Sequence, residues 1–168
     1  LIHAGAGGGG LLLIQMAKAL GANVITTVST ETKAQLVRGA GADHAIIYTK
    51  QDFEEEVKEI TERAGVQVVY DSVGLSTFDK SIACLARRGY MVLYGNSSGP
   101  VPPVPVSTLN AKSLFLTRPS LADHTATREE LLSRAGDVLN WIQDGSLKLR
   151  IHGKFPLRDA VEAHRQLE

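Results

Sequence analysis

A single cysteine, Cys84, stands among the 168 residues, which excludes an internal disulfide and any cysteine-built metal cluster within the chain and suits a reducing compartment. Alone and small, it reads as a core side chain. Charge of one sign is missing as well: 18 Lys and Arg balance 18 Asp and Glu. No net field draws the chain to nucleic acid or to an anionic surface, and nucleic acid is not expected as a partner. No apolar run approaches the ~20 residues that a bilayer-crossing helix needs. Membrane association is therefore not expected, and a cytoplasmic location is. Local catalytic signatures are sparse too, with no H-E-x-x-H or C-x-x-C in the chain. His3, His44, His124, His152 and His164 are scattered and read as core or surface residues. No metal site is expected and no catalytic residue is assigned.

What is present is the composition of a packed domain, 43% hydrophobic and 21% charged, at a length that one core fills. Apolar runs alternate with amphipathic stretches. The pattern predicts strands over Leu1–Ala4, Asn23–Val28, His44–Tyr48, Val66–Asp71, Gly89–Tyr94 and Leu114–Thr117. Helices are predicted over Gly8–Leu20, Thr30–Gly39, Asp52–Ala64 and Ser76–Leu85, with a Pro-rich loop from Asn96 to Pro105. Runs such as Val68-Val69-Tyr70 and Met91-Val92-Leu93 show no polar alternation, as strands buried on both faces require. The fold class expected is α/β, a Rossmann-type doubly wound parallel sheet with helices on both faces. A further helix, Arg128–Gln143, carries Leu131, Leu132, Ala135, Val138, Leu139 and Ile142 on one stripe.

The densest signal is Gly5-Ala6-Gly7-Gly8-Gly9-Gly10, which holds G-x-G-x-x-G between an apolar strand and a helical run. A tight turn, a close approach of backbone to pyrophosphate and close strand–helix packing each demand a residue without Cβ. Amides at the helix start, with the positive end of its dipole, then hold phosphate charge. Gly5, Gly7, Gly8, Gly9 and Gly10 are candidate cofactor-binding residues.

The residues after the second strand choose between dinucleotides. NAD-binding relatives of this fold place an Asp or Glu there for the ribose hydroxyls. Here the strand ends in the neutral pair Ser29-Thr30. Lys33 follows in the first helical turn, where a cation opposes the dipole unless an anion compensates it. Ser29, Thr30 and Lys33 thus form a candidate site for a 2′-phosphate, and the expected cofactor is NADPH. Tyr48 at the end of the third strand either joins that phosphate or caps the core.

Ligands of open α/β sheets lie beyond the carboxyl ends of the strands. Two further loops fall there, Asp71-Ser72-Val73-Gly74 and Gly95-Asn96-Ser97-Ser98-Gly99. Both are small and polar enough for a dinucleotide to lie across them, and Ser72, Val73, Asn96 and Ser97 are candidates. Leu1 and Ile2 read as the middle of a strand, and Ala160–Glu168 is a helical pattern without a stop signal. The expectation is one dinucleotide-binding domain over residues 1–168, a piece of a larger protein.

Taken together, His3 to Gln15, Tyr70-Asp71-Ser72-Val73-Gly74, Tyr94 to Gly99 and Leu116-Thr117-Arg118-Pro119-Ser120-Leu121 closely resemble quinone oxidoreductases of the zeta-crystallin type, in the medium-chain dehydrogenase/reductase superfamily. The resemblance implies zinc-independent hydride transfer from NADPH to quinones or related conjugated carbonyls. It places the pyrophosphate at Gly8 and Gly9, the 2′-phosphate at Ser29, Lys33 and Tyr48, and the nicotinamide near Val73, Ser97 and Phe115, with Thr117 on the same strand. It also implies an N-terminal catalytic domain absent here, and a homodimer paired through the edge strand Leu114–Thr117. An enoyl reductase of the same superfamily is the nearer alternative, and a crystallin-like or RNA-binding role the more distant one. Two departures stand out: the family pattern usually has Val at Gly9, and a Gly between Lys112 and Ser113.

Overall fold

The computed structural model describes residues 1–167. Five strands form in it: β1 (Ile25–Val28), β2 (His44–Ile47), β3 (Val66–Asp71), β4 (Leu85–Leu93) and β5 (Phe115–Thr117). β1 pairs with β2 in parallel, and β3–β4–β5 form a second parallel run. The opening residues join the two. Ile2 bridges Thr26 on one side and Tyr70 on the other, both in parallel. Backbone bonds from Ile2 N to Ile25 O (2.9 Å), Thr27 N to Ile2 O (3.1 Å), His3 N to Tyr70 O (3.0 Å) and Tyr70 N to Leu1 O (2.9 Å) complete the seam. The spatial order is therefore β2, β1, the Leu1–His3 segment, β3, β4, β5, with the chain's first segment in the middle and successive strands added outward on either side. This is the doubly wound Rossmann arrangement. Its topological switch point falls where the central segment leaves the sheet.

Alternate residues of the strands bury into opposite layers, which is why the runs carry no polar alternation. On one face Leu1, Ile25, Ile46, Val69 and Met91 pack with Phe53 and Val57 of α3 (Phe53–Ile60) and Phe78 of α4 (Phe78–Cys84). On the other, Ile2, Val24, Val28 and Ile47 pack with Leu11 and Ile14 of α1 (Gly8–Ala19) and Ala34 and Val37 of α2 (Glu31–Gly39). Neighbours in sequence thus go to different cores.

Three sequence expectations are adjusted. α3 stops at Ile60 rather than Ala64 because Glu62 and Arg63 adopt left-handed backbone, with φ of 49° and 66°. β4 begins at Leu85, four residues earlier than expected, and its register with β3 slips between Val66 and Val68, where the chain bulges out around Arg88. β5 begins at Phe115, one residue later than expected, after Ser113 takes the left-handed conformation at φ 52°.

Beyond β5 lie a short helix, α5 (Leu121–His124), then α6 (Arg128–Gln143) and α7 (Ala160–Leu167). Thr127 and Glu130 close a capping box on α6. The apolar stripe read there points outward, with Leu131, Leu132 and Leu139 exposed. Glu168, the last residue of the predicted terminal helix, lies outside the described residues. Among the described residues no helix is long and apolar enough to cross a membrane.

Candidate functional site

At the switch point the backbone turns sharply out of the sheet. Ala4 sits in left-handed space at φ 52°, the Gly7 amide donates back to the Ala4 carbonyl (3.0 Å), and α1 starts. The glycines of the turn have different reasons to be there. A Cβ on Gly5 would fall 2.0 Å from Thr26 Oγ1, whose hydroxyl donates to the Ile2 carbonyl at 2.7 Å. A Cβ on Gly10 would lie 2.5 Å from the Ala4 carbonyl oxygen and 2.7 Å from Gly5 Cα. These two positions let strand, turn and helix touch. Gly8 and Gly9 face open space, since an added Cβ meets nothing within 4 Å. The family's Val therefore fits at Gly9 without displacing anything.

The first amides of any helix lack an intrahelical acceptor. α2, α3 and α6 satisfy part of theirs with the side chains of Thr30, Asp52 and Thr127. α1 has neither a side-chain cap nor an acidic residue in its first turn, so its positive end faces outward uncompensated.

It faces a cleft of about 940 Å³ at the carboxyl edge of the sheet, with Ala6 and Gly7 on its floor. On the β1–β2 side the cleft is lined by Ser29, Lys33 and Tyr48. Lys33 Nζ donates to Ser29 Oγ at 3.2 Å, and the Thr30 hydroxyl caps α2 by accepting from the Lys33 amide at 3.3 Å. Thr30 itself does not line the cleft. On the β3–β4 side stand Val73, Ser97 and Ser98.

The two polar loops read separately in the sequence are locked together. Ser72 O accepts from Ser97 N (3.2 Å), and Val73 O accepts from both Ser98 N (2.9 Å) and Ser98 Oγ (2.7 Å). Gly74 (φ 87°) and Gly95 allow this approach: a Cβ would stand 2.9 Å from the Gly99 carbonyl at the first and 2.5 Å from the Ser72 carbonyl at the second. Ser72 and Asn96 belong to this paired backbone without lining the cleft. Phe115 and Thr117 are not among the residues that line this cleft. The Phe115 ring, 49% exposed on β5, stacks on Tyr90 with centroids 4.5 Å apart, and Thr117 is registered against Val92.

Several lining residues escaped the sequence reading: His3, Thr27, Asp52, Phe53, Thr77 and Lys80. Lys80 pairs with Asp52 and lies 5.9 Å from the Phe53 ring centroid. The hydrogen bond from Lys80 is the main cause that holds the Asp52 carboxyl below its ordinary range. His3 is buried, and both ring nitrogens are hydrogen-bonded, to Thr27 Oγ1 and Ser81 Oγ, at 2.9 Å each. Burial pushes its pKa down to about 4 against the opposing pull of Asp71. The Cys84 thiol, also buried, is pushed up to about 12 by desolvation, with Glu54 adding to the shift. It is an inert core group, as its isolation in the sequence suggested.

A parallel sheet wound both ways from a glycine turn, with an open cleft over its carboxyl edge, defines a dinucleotide-binding domain. The chain belongs to the zinc-binding dehydrogenase family, whose family model matches residues 8–140, and thereby to the medium-chain dehydrogenase/reductase superfamily. It is 49% identical over its whole length to quinone oxidoreductase 1 of Escherichia coli K12, of which it covers 52%. It is 44% identical to a 2-haloacrylate reductase of Burkholderia over 99% of the chain and 51% of that protein. The crystal structure of Escherichia coli quinone oxidoreductase complexed with NADPH superposes with a TM-score of 0.93 at 48% identity, over 99% of this chain and 52% of that one. A mycobacterial protein complexed with NADPH also matches at a TM-score of 0.93, with 49% identity and the same coverage. The chain thus spans about half the length of the relatives it matches. The family's name invokes zinc, but among the described residues no group of three or more His, Cys, Asp or Glu could hold a metal ion. These residues do not fit one.

Proposed function

We propose that this chain is the NADPH-binding part of a reductase that passes hydride to quinones or related conjugated carbonyls. The observation that carries the reading is the cleft itself: Ala6 and Gly7 line it at the uncapped start of α1, and a Lys33–Ser29 pair lines it at the end of β1. When bound, NADPH would supply a hydride from its nicotinamide, which with one proton from solvent turns a quinone into a hydroquinone and leaves NADP⁺.

The chain's own residues bind and orient. Amides at Gly8 and Gly9 hold the pyrophosphate against the positive end of α1. Ser29, Lys33 and Tyr48 hold the 2′-phosphate, and the paired loops of Val73 and Ser97 support the nicotinamide end. The second wall of the acceptor pocket comes from a further domain outside these residues, a reading supported by the relatives' greater length and by the exposed leucines of α6. That wall excludes water and sets which acceptor fits.

Turnover by the full-length protein tests the proposal: NADPH absorbance falls with simple quinones as acceptors. The likeness to 2-haloacrylate reductase favours activated alkenes as a second reading. Turnover of a haloacrylate with none of any quinone would select it. For the cofactor, Lys33→Ala is expected to weaken NADPH binding by about 1–3 kcal/mol, the loss of a charge-assisted contact, and to leave NADH binding unchanged. Calorimetric titration of both nucleotides checks this, and equal affinities in the wild type would count against Lys33.

We also propose a homodimer paired through β5, in a reducing cytoplasm. β5 is an edge of the sheet and exposes Phe115 beside Tyr90, and natural proteins seldom leave such an edge bare. Phe115→Glu is expected to convert the dimer to monomer in sedimentation experiments. A wild-type monomer at micromolar concentration would overturn this part.

A further inference from the structure

The cleft's two ends are joined by a largely buried chain of polar side chains, of which His3, Thr27 and Thr77 also line it. Asp71, the last residue of β3, has no solvent exposure. Its Oδ1 accepts from the amides of Val73 (2.7 Å) and Gly74 (3.0 Å), and its Oδ2 from the hydroxyls of Thr77 (2.7 Å) and Ser81 (3.2 Å). Ser81 Oγ lies 2.9 Å from His3 Nε2, and His3 Nδ1 lies 2.9 Å from Thr27 Oγ1 on β1. Among the described residues no buried side-chain nitrogen or oxygen is left without a partner.

The direction of these bonds follows from donor supply. Ser81 Oγ donates to Asp71 Oδ2, and a hydroxyl has one proton, so that proton is committed to Asp71. Ser81 Oγ must then accept from His3 Nε2–H. A neutral imidazole has no second proton, so Nδ1 accepts from the Thr27 hydroxyl. The burial that disfavours the imidazolium agrees with this. One tautomer results, and the polarity runs from Thr27 through His3 and Ser81 to Asp71. Asp71 in turn fixes the Val73–Gly74 backbone, on which the Ser97–Ser98 loop hangs through Ser72 O and Val73 O.

We infer that His3 is a positioning residue for hydride transfer: through Ser81 and Asp71 it sets where the Val73 and Ser97 loops stand relative to the glycine turn, and hence the pose of the nicotinamide end. The inference rests on the cofactor reading proposed above. Both His3 ring nitrogens are engaged by Thr27 and Ser81, so its expected effect is on kcat, through the loops it braces, rather than on the grip of the adenosine end.

The test uses full-length wild type, His3→Leu, His3→Gln and Ser81→Ala, with adenosine 2′,5′-bisphosphate as a probe that lacks the nicotinamide half. His3→Leu and Ser81→Ala should lower kcat at saturating NADPH roughly 10- to 100-fold, the cost of a misplaced reacting group. Binding of the bisphosphate should stay within about two-fold of wild type, because it does not reach the Val73 loop. His3→Gln, whose amide supplies both a donor and an acceptor, should recover most of the kcat. Ser81→Ala removes one oxygen without changing the packed shape, so it decides the matter if His3→Leu does not fold. Unchanged kcat in a folded Ser81→Ala protein, or equal losses of kcat and bisphosphate affinity, would overturn the inference and leave the cofactor reading standing. A wild type that binds neither NADPH nor the bisphosphate would overturn both.

Discussion

Gly5→Ala is expected to destabilise the fold by about 2–4 kcal/mol, combining an overpacked contact with a displaced buried hydroxyl. The added methyl would stand 2.0 Å from Thr26 Oγ1. Thr26 is itself fully buried and its hydroxyl is committed to the Ile2 carbonyl. The side chain cannot swing aside without stranding that hydroxyl, so the turn must shift, and the amides at Gly8 and Gly9 shift with it. Cofactor binding should weaken in parallel. Gly9→Val is the matched control: its side chain enters open space, and Val exceeds Gly in helix propensity by about 0.3–0.5 kcal/mol. Thermal melts of the two variants should therefore diverge, Gly5→Ala falling by roughly 5–15 °C while Gly9→Val holds or rises slightly. The opposite order would mean that the turn is packed differently.

The second large effect is on acid stability. His3 titrates at about 4 in the fold, chiefly because burial disfavours its charge, against an ordinary value of 6.5. Below pH 6.5 the unfolded chain therefore binds a proton that the folded one refuses, and stability drops as pH falls. The contribution is fully present above 6.5, declines between 6.5 and 4, and levels off below. Integrated over that window it amounts to about 3 kcal/mol. Denaturant unfolding at a series of pH values should show this slope in the wild type and lose it in His3→Gln, which has no titrating ring. An unchanged slope in that variant would place the acid sensitivity elsewhere.

Much of this architecture was legible because its causes are local. Strands covered on both faces dispense with polar alternation, so Val68–Tyr70 and Met91–Leu93 announced a parallel sheet. The glycine spacing carried a mechanism and not merely a pattern. Even so, the sequence alone did not separate Gly5 and Gly10, which contact Thr26 and Ala4, from Gly8 and Gly9, which contact nothing. That distinction depends on a strand about twenty residues away. His3 was illegible for the same reason: its partners Thr27 and Ser81 lie 24 and 78 residues along the chain, and a lone histidine carries no periodic signal. Phe115 is a further case: its strand was legible, but the stacking of its ring on Tyr90 depends on the register of β5 against β4, which no local pattern gives. The apolar stripe of α6 was read correctly as a helix face. Which way it points is a tertiary property, and it points outward.

The central claim is that a diphosphate lies against the start of α1 while Ser29 and Lys33 hold a 2′-phosphate at the end of β1. Difference density from crystals of the full-length protein grown with NADPH tests it most directly. The pyrophosphate should appear over Gly7–Gly9, with the 2′-phosphate in hydrogen-bonding range of Lys33 Nζ and Ser29 Oγ. A nucleotide bound anywhere else, or one whose 2′-phosphate turns into solvent away from Lys33, would contradict the account.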